Sequence, residues 1–138
     1  MEIRIGNDID KERILGIRPI AAPYFTNDYF LVAQDGEGDI LGFATVSLRE
    51  IPAPVPGREA FILLIEILEE ENFRKGIASL LVQKIIELEK EKDTYQVRAY
   101  CDILNEGSHR LWWKNGFVIS PFKNQDGSIL GSFVTFVL

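Results

Sequence analysis

The sequence has few of the residues that form metal sites and disulfides. Cys101 is its only cysteine and His109 its only histidine. One cysteine excludes an internal disulfide, and one cysteine with one histidine makes a zinc site unexpected. We interpret Cys101 as a small core residue and His109 as an exposed helix residue. No metal is expected.

The sequence also lacks a positive surface charge and a long apolar run. Fifteen basic residues against 21 acidic ones give a formal net charge of −6. Such a chain is poorly suited to neutralising a nucleic-acid backbone. The apolar runs are shorter than a bilayer requires, and the first 20 residues are too charged for a secretory signal. We expect no nucleic-acid or membrane partner and a soluble, cytoplasmic protein that forms one domain over residues 1–138.

The hydrophobic pattern predicts a mixed α/β sheet. The run at 61–68 is almost wholly apolar, which is typical of a central strand covered on both faces. It is followed by an amphipathic helix and another strand, a succession that favours a parallel pair beside antiparallel hairpins. The predicted strands are 1–6, 29–34, 40–48, 61–68, 95–102, 117–120 and 129–138, and the predicted helices are 7–15, 75–92 and 106–115.

The stretch "E-N-F-R-K-G-I-A-S-L-L", residues 71–81, brings cations and a glycine to the start of the long helix. The first turn of a helix has free N–H groups and a partial positive charge, and Gly76 lets a ligand approach the backbone. Arg74 and Lys75 would add charge-assisted contacts, and Ser79 a hydroxyl. This combination predicts a phosphate site. The alternative is a tight turn beside solvated cations. A phosphate site also requires the side chains of the acidic run 69–71 to point away into solvent, because carboxylates facing the loop would weaken anion binding.

Two motifs carry a family resemblance. "F-R-K-G-I-A" matches the end of the signature Arg/Gln-x-x-Gly-x-Gly/Ala, and "NEGSHRLWWKNGF" matches a second signature, Asn followed by a helix that ends in aromatic-x-Lys-x-Gly-Phe. The matching residues are Gly76, Ala78, Asn105, Trp112, Lys114, Gly116 and Phe117. Over residues 61–118 the chain resembles the GCN5-related N-acetyltransferase (GNAT) superfamily. The resemblance implies a mostly antiparallel sheet, flanked by helices, whose central parallel pair splays around acetyl-CoA.

The resemblance also implies which residues bind acetyl-CoA, the co-substrate. Pantetheine would pair with the strand edge near Ile67 and Leu68 and form a hydrogen bond with Asn105. The pyrophosphate would lie on the backbone amides between Arg74 and Ser79. The full set of expected cofactor-binding residues is Ile67, Leu68, Arg74, Lys75, Gly76, Ile77, Ala78, Ser79, Asn105 and Trp112.

Two positions depart from the family pattern. Phe73 stands where the family has arginine or glutamine, so the backbone would carry most of the phosphate contact. Trp112 stands where many members have a tyrosine that protonates the leaving thiolate. An indole N–H donates a hydrogen bond but does not deliver a proton. Another group is then the acid, the thiolate leaves without one, or the reaction is not catalysed.

Glu66 is the candidate general base. It interrupts an otherwise apolar strand, and a carboxylate in such a place is usually paired or functional. It could remove a proton from the amine, or it could form a structural ion pair, for example with Arg98. Tyr100 and Asp102, on one face of the next strand, are alternative proton carriers.

The expected function is direct transfer of acetyl from acetyl-CoA to a primary amine, of a small molecule or of a peptide amino terminus. Residues 17–28, 52–57 and 120–127 would form the acceptor pocket. One alternative is a non-catalytic acyl-CoA-binding or regulatory module on the same fold, and another is a domain for a different phosphorylated ligand. A homodimer is an open alternative to a monomer.

Overall fold

The structure is a computed structural model that describes residues 1–55, 57–73, 75–102 and 106–138. It contains seven strands and three α-helices within these residues, with short 3-10 helices at Pro19–Tyr24 and Glu70–Asn72. In chain order the elements are β1 (Glu2–Ile5), α1 (Asp8–Ile17), β2 (Phe30–Gln34), β3 (Ile40–Glu50), β4 (Arg58–Ile67), α2 (Ile77–Lys90), β5 (Gln96–Asp102), α3 (Glu106–Lys114), β6 (Val118–Lys123) and β7 (Ile129–Val137). None of the helices in these ranges has the length and apolar character needed to span a bilayer.

The strands follow the order β1-β2-β3-β4-β5-β7-β6 in one mixed sheet. The ladders β1–β2, β2–β3, β5–β7 and β6–β7 are antiparallel. β4 and β5 begin side by side, where the amide of Tyr95 donates to the carbonyl of Arg58 at 2.9 Å, so this pair is parallel. The predicted mixed α/β sheet with a central parallel pair is confirmed. The predicted splay of this pair around acetyl-CoA stays a prediction.

The chain forms two compact units, and the prediction of one domain is not tested by this division. The first unit contains Met1–Ser47 and Ile62–Ile85, and the second contains Leu48–Phe61 and Ile86–Leu138. In the first unit, α1 and the 3-10 helix Pro19–Tyr24 contribute Ile14 and Ala21 to a buried cluster. Val32, Ile40 and Phe43 of the sheet complete that cluster, and Leu64 and Leu68 pack against it.

Helix α1 begins at a capping box that also holds a buried charge. The Asn7 side chain accepts from the Asp10 amide at 3.0 Å, and Asp10 accepts in return from the Asn7 amide at 2.8 Å. The Arg4 guanidinium donates to both Asp10 oxygens, at 2.7 and 2.9 Å. The hydrogen bond from Arg4, ahead of other causes, holds the pKa of Asp10 below its usual range. The cap therefore fixes β1 and α1 to each other.

In the second unit, the alternation predicted for β5 is correct. Val97, Ala99 and Cys101 are buried, while Tyr100 and Asp102 on the other face are exposed. β5 pairs edge to edge with β7, whose buried residue Val134 lies opposite Ala99. Trp112 and Phe117, at the end of α3 and just after it, pack together with ring centroids 5.0 Å apart.

Glu89 of α2 is fully buried, and the pattern of charged residues on that helix did not predict its burial. Its carboxylate accepts from the Thr94 hydroxyl at 2.7 Å and lies 3.5 Å from the Lys92 ammonium. Arg58, at the start of β4, is 4.0 Å away. Because these partners come from the turn after α2 and from another strand, the helical period alone could not identify the buried carboxylate.

Two predicted helix boundaries are corrected. Helix α1 continues through Gly16 to Ile17, because the Arg18 amide still donates to the Ile14 carbonyl at 2.7 Å. Helix α2 begins at Ile77 rather than at Lys75, because Gly76 has a φ of +78° and cannot be part of the helix.

Candidate active site

The loop before α2 has the backbone geometry expected of an anion site. Gly76 has a φ of +78°, and a Cβ built on it would find no heavy atom within 4 Å among the described residues other than its two chain neighbours. Its carbonyl accepts from the Leu80 amide at 3.1 Å, so the helix follows at once. The first N–H groups of a helix have no acceptor within the helix itself. Open space at the Cβ position of Gly76, directly before such groups, suits the approach of a phosphate.

The side chains beside Gly76 contribute less than the sequence suggested. The Lys75 ammonium donates to the Asn72 side chain at 3.3 Å. Ile77 is buried, and Ser79 is only 8% exposed. An anion at this loop would therefore be bound mainly by the backbone from Gly76 onward, and this site stays a prediction. Arg74, the other predicted cation, lies outside the described residues.

An acidic pocket lies beside this loop in the first unit. Glu69 and Glu71 line a cavity of about 290 Å³ together with Asp39 and Arg13. A hydrogen bond with Glu71 and the charge of Glu71 raise the pKa of Glu69. Two residues of the acidic run 69–71, Glu69 and Glu71, thus contribute their side chains to this cavity.

Three exposed or half-exposed carboxylates in the β2–β3 turn could in principle hold a metal ion. Oxygens of Asp35, Glu37 and Asp39 lie within 4.8 Å of one another. Their proximity follows from the turn, since the Asp35 side chain accepts from the amides of Glu37 and Asp39, each at 2.9 Å. Turn formation is a sufficient explanation of this cluster.

Glu66 lies on the face of β4 that carries Leu64 and Leu68, because residues two apart on a strand share a face. Leu64 and Leu68 pack against the cluster that includes α1 and the 3-10 helix Pro19–Tyr24. Glu66 forms an ion pair with Arg18, which immediately precedes that 3-10 helix. The ion pair suggested for Glu66 is therefore present, but its partner is Arg18 rather than Arg98. The guanidinium of Arg98 lies over the Phe133 ring, 4.3 Å from its centroid.

Ile67 and Leu68, at the end of β4, were predicted to lie along the pantetheine. The Leu68 amide donates to the Leu41 carbonyl of β3 at 2.9 Å. Gly42 of β3 also approaches closely, since a Cβ on it would lie 2.8 Å from the Glu66 carbonyl oxygen. β3 is thus held tightly against this end of β4. The contact with pantetheine stays a prediction.

Trp112, in the second unit, is a packing residue. It is 1% exposed, and its indole N–H donates to the Ser108 hydroxyl at 2.9 Å. Trp113, the next residue, is 75% exposed. The predicted contact of Trp112 with the cofactor is untested, and its burial favours the packing role. An indole that already donates to Ser108 is a poor substitute for a tyrosine acid.

Tyr100 lies on the opposite face of β5 from Cys101 and is 43% exposed. Its ring meets Phe133 edge to face at 5.4 Å, and its hydroxyl lies next to Gly131 of β7. An exposed phenol held by an aromatic neighbour can exchange protons with solvent, so Tyr100 stays a candidate proton carrier. Asn105, the predicted pantetheine donor, lies outside the described residues.

Comparison with known proteins identifies the class. Residues 10–117 match the family described as "Acetyltransferase (GNAT) family". The match covers well over half of the chain, which therefore belongs to the GNAT acetyltransferases, the class of acetyl-CoA-dependent N-acetyltransferases. A comparison with curated protein sequences gives no match.

Solved structures agree with the fold. The ribosomal-protein-alanine N-acetyltransferase from Brucella melitensis superposes with a TM-score of 0.77 at 18% identity, over 100% of both chains. Chaetomium thermophilum Naa20, solved with a bisubstrate analogue, gives 0.75 at 17% identity, over 100% of this chain and 87% of that one. Arabidopsis thaliana NAA60, solved with acetyl-CoA, gives 0.74 at 15% identity, over 99% and 98%. At these identities the likeness concerns the fold.

Proposed function

We propose that this protein transfers the acetyl group of acetyl-CoA directly to a primary amine, of a small molecule or of a peptide amino terminus. The observation that carries the proposal is the loop at Gly76. Its left-handed backbone, the open space in front of it and the helix that starts directly after it together suit a pyrophosphate. The match to the acetyltransferase family supports coenzyme A as the source of that pyrophosphate.

In this proposal the cofactor is bound mainly by main-chain groups. The amides at Gly76, Ile77 and Ala78 bind the pyrophosphate, with Lys75 as a helper. Ile67 and Leu68 lie along the pantetheine. Backbone binding tolerates Phe73 at the position where the family has a basic or amide side chain, because the N–H groups of a helix start do not depend on side-chain identity.

We assign to Glu66 the role of the general base that deprotonates the acceptor amine. The carboxylate is part of the strand that leads to the Gly76 loop, and it pairs with the first residues of the 17–28 segment, which was predicted to border the acceptor. An acceptor arriving as an ammonium gives one proton to Glu66, and its nitrogen then attacks the thioester carbonyl. The C–N bond forms, the C–S bond breaks, and the second proton of the nitrogen neutralises the coenzyme A thiolate. Proximity of the two substrates supplies much of the acceleration.

The leaving thiolate does not require Trp112. A free thiol has a pKa near 8.5, so departure as a thiolate is affordable near neutral pH. Tyr100 or water would then relay the second proton from the nitrogen to the thiolate. A peptide acceptor is supported by the structural similarity to the NatC complex, which was solved with a Gag peptide and CoA. The cytoplasmic location and the homodimer stay predictions.

The test combines binding with turnover. Calorimetry compares acetyl-CoA, desulfo-CoA and ATP, and we expect both coenzyme A compounds to bind and ATP to bind much more weakly. Thiol release is then followed with an alanine-initiated tetrapeptide amide and with tyramine. We expect release with at least one of them. Tight binding of acetyl-CoA without release from any amine would favour the non-catalytic module instead.

Glu66→Gln tests the base. General-base contributions are about 10²-fold or more, so we expect kcat to fall by about that factor while acetyl-CoA affinity is retained. Glu12→Gln, at an exposed position on α1, is the matched control and should retain full activity. An unchanged kcat in Glu66→Gln would transfer the role to Tyr100, which Tyr100→Phe then tests.

A further inference from the structure

Arg18 occupies the carboxylate that the proposed acceptor needs. Glu66 and Arg18 form an ion pair, with side-chain exposures of 20% for Glu66 and 46% for Arg18. The Arg18 guanidinium therefore occupies the position beside the Glu66 carboxylate that a second cation would need. The two cations compete for one carboxylate.

The backbone of Arg18 is held by hydrogen bonds, while its side chain is half exposed. The Arg18 amide donates to Ile14 at 2.7 Å, and its carbonyl accepts from Ala21 at 3.0 Å. These bonds place Arg18 at the junction between α1 and the 3-10 helix Pro19–Tyr24. A long, half-exposed side chain on such a fixed junction can turn into water without moving the helices.

The solvent exposure of the Arg18–Glu66 ion pair indicates whether Arg18 is a permanent partner of Glu66 or one that another cation can replace. Ion pairs that reach solvent are weak, because water screens the attraction and holding a long side chain costs entropy. An arginine so exposed does not hold the carboxylate against another cation with a better fit. Removing the guanidinium from Glu66 is accordingly a small cost for an incoming ammonium.

We propose that Glu66 is an ammonium-binding site, and that Arg18 is its internal occupant, which the acceptor ammonium displaces on binding. The inference rests on the proposed acetyl transfer and assigns the acceptor class, a primary amine that binds as its cation. Arg18 thus sets the affinity for the acceptor. It weakens binding of acceptors that place a cation at Glu66, because they must first displace it, and it keeps the carboxylate paired in the absence of acceptor.

The experiment measures KM and kcat for the alanine-initiated tetrapeptide amide and for tyramine in Arg18→Ala, Arg18→Lys and Arg13→Ala. In Arg18→Ala the competitor is gone, so we expect KM for the amine to fall about three- to five-fold with kcat unchanged. Arg18→Lys keeps a cation and should restore a KM near that of the wild type. Arg13→Ala removes a charge from the same helix, on a side chain that donates to the Gly38 carbonyl, and should leave both constants unchanged.

A double-mutant cycle completes the test. In the Glu66→Gln background, Arg18→Ala should have no effect on KM, because the site of competition is absent. A KM in Arg18→Ala that is unchanged or raised would overturn the exchange, and a fall in kcat would show that Arg18 instead positions Glu66; acetyl transfer itself would stand in both cases. Binding of acetyl-CoA without thiol release in the wild type would overturn the proposed function and the exchange together.

Discussion

Gly76 and Gly131 are two glycines with opposite surroundings. A Cβ on Gly76 meets no heavy atom within 4 Å, whereas a Cβ on Gly131 would lie 2.4 Å from the Cys101 carbonyl oxygen and 2.5 Å from the Tyr100 hydroxyl oxygen. Gly76 is required by its positive φ, and Gly131 by the close packing of β7 against β5. An open glycine leaves room for a ligand, while a closed one serves the fold.

Two carboxylates repeat this contrast. The Asp10 side chain is 3% exposed and is bound by Arg4 and the Asn7 amide. The Glu66 side chain is 20% exposed, and its partner Arg18 is nearly half exposed. Both acids have an arginine partner, so the presence of an ion pair does not distinguish them. They differ in exposure, and the greater exposure of Glu66 is what the proposed acceptor site requires.

The largest effect on stability is expected at the closed carboxylate. Asp10→Asn leaves the Arg4 guanidinium without its anion and weakens the capping box, and we expect a loss of about 3 kcal/mol in the free energy of unfolding. Urea unfolding at pH 7 measures it. Asp8→Asn, on an exposed residue of the same first turn, is the control and should change stability by less than about 0.5 kcal/mol.

The stabilisation by Asp10 should also depend on pH. The pKa of Asp10 is lowered in the folded protein by the hydrogen bond from Arg4, from an ordinary value of 3.8. The stabilisation is fully present above that value and is lost as the pH falls through the lower folded-state pKa. The stability difference between wild type and Asp10→Asn should therefore shrink below pH 3.8. A constant difference from neutral pH to strongly acidic pH would contradict the assignment.

The next largest effect is expected at the closed glycine. In Gly131→Ala the new Cβ meets a backbone carbonyl that cannot rotate away, so β7 must shift from β5. We expect a loss of about 2 kcal/mol, measured by urea unfolding. Gly36→Ala, where a Cβ meets nothing within 4 Å, provides the comparison and should be near neutral. Equal stability of the two variants would show that β7 adapts without cost.

The smallest effect on stability is expected at the open glycine, Gly76, where the effect on ligand affinity should be the largest. Gly76→Ala should cost about 1 kcal/mol, because a non-glycine residue at positive φ is strained. The Cβ also occupies the space proposed for the pyrophosphate, so acetyl-CoA affinity measured by calorimetry should fall about tenfold or more, corresponding to about 1.4 kcal/mol.

Gly127→Ala separates the two contributions. Gly127 has a φ of +87° and open space around its Cβ position, but it lies in the β6–β7 turn. It should show the same loss of stability with unchanged acetyl-CoA affinity. If both variants kept full affinity, the pyrophosphate site would have to be placed elsewhere.

Much of the fold could be predicted from local patterns. Ile77, Leu81 and Ile85 recur at helical spacing, and all three are buried in α2. The alternation Val97, Ala99, Cys101 gives the buried face of β5. In each case the signal lies within a few neighbouring residues, where helical or strand period acts directly on burial.

The pairing of charged residues could not be predicted in this way. Glu89 and Asp10 are charged, so a pattern assigns them to solvent, yet partners from other elements allow both to be buried. The sequence left open whether Glu66 has a functional role or forms an ion pair. In the structure it pairs with Arg18, which follows the end of α1. Such pairs depend on which strands and helices meet, and that is a tertiary property.

The sequence by itself determined the order of strands and helices, the glycine at the start of α2 and the resemblance to the acetyltransferases, because period, turn chemistry and motif spacing are local. Only the tertiary structure decided that Gly76 faces open space, that the Trp112 indole is committed to Ser108 and that Arg18 is paired with Glu66. Open space and partner choice are set by atoms distant along the chain, and only folding brings these atoms together.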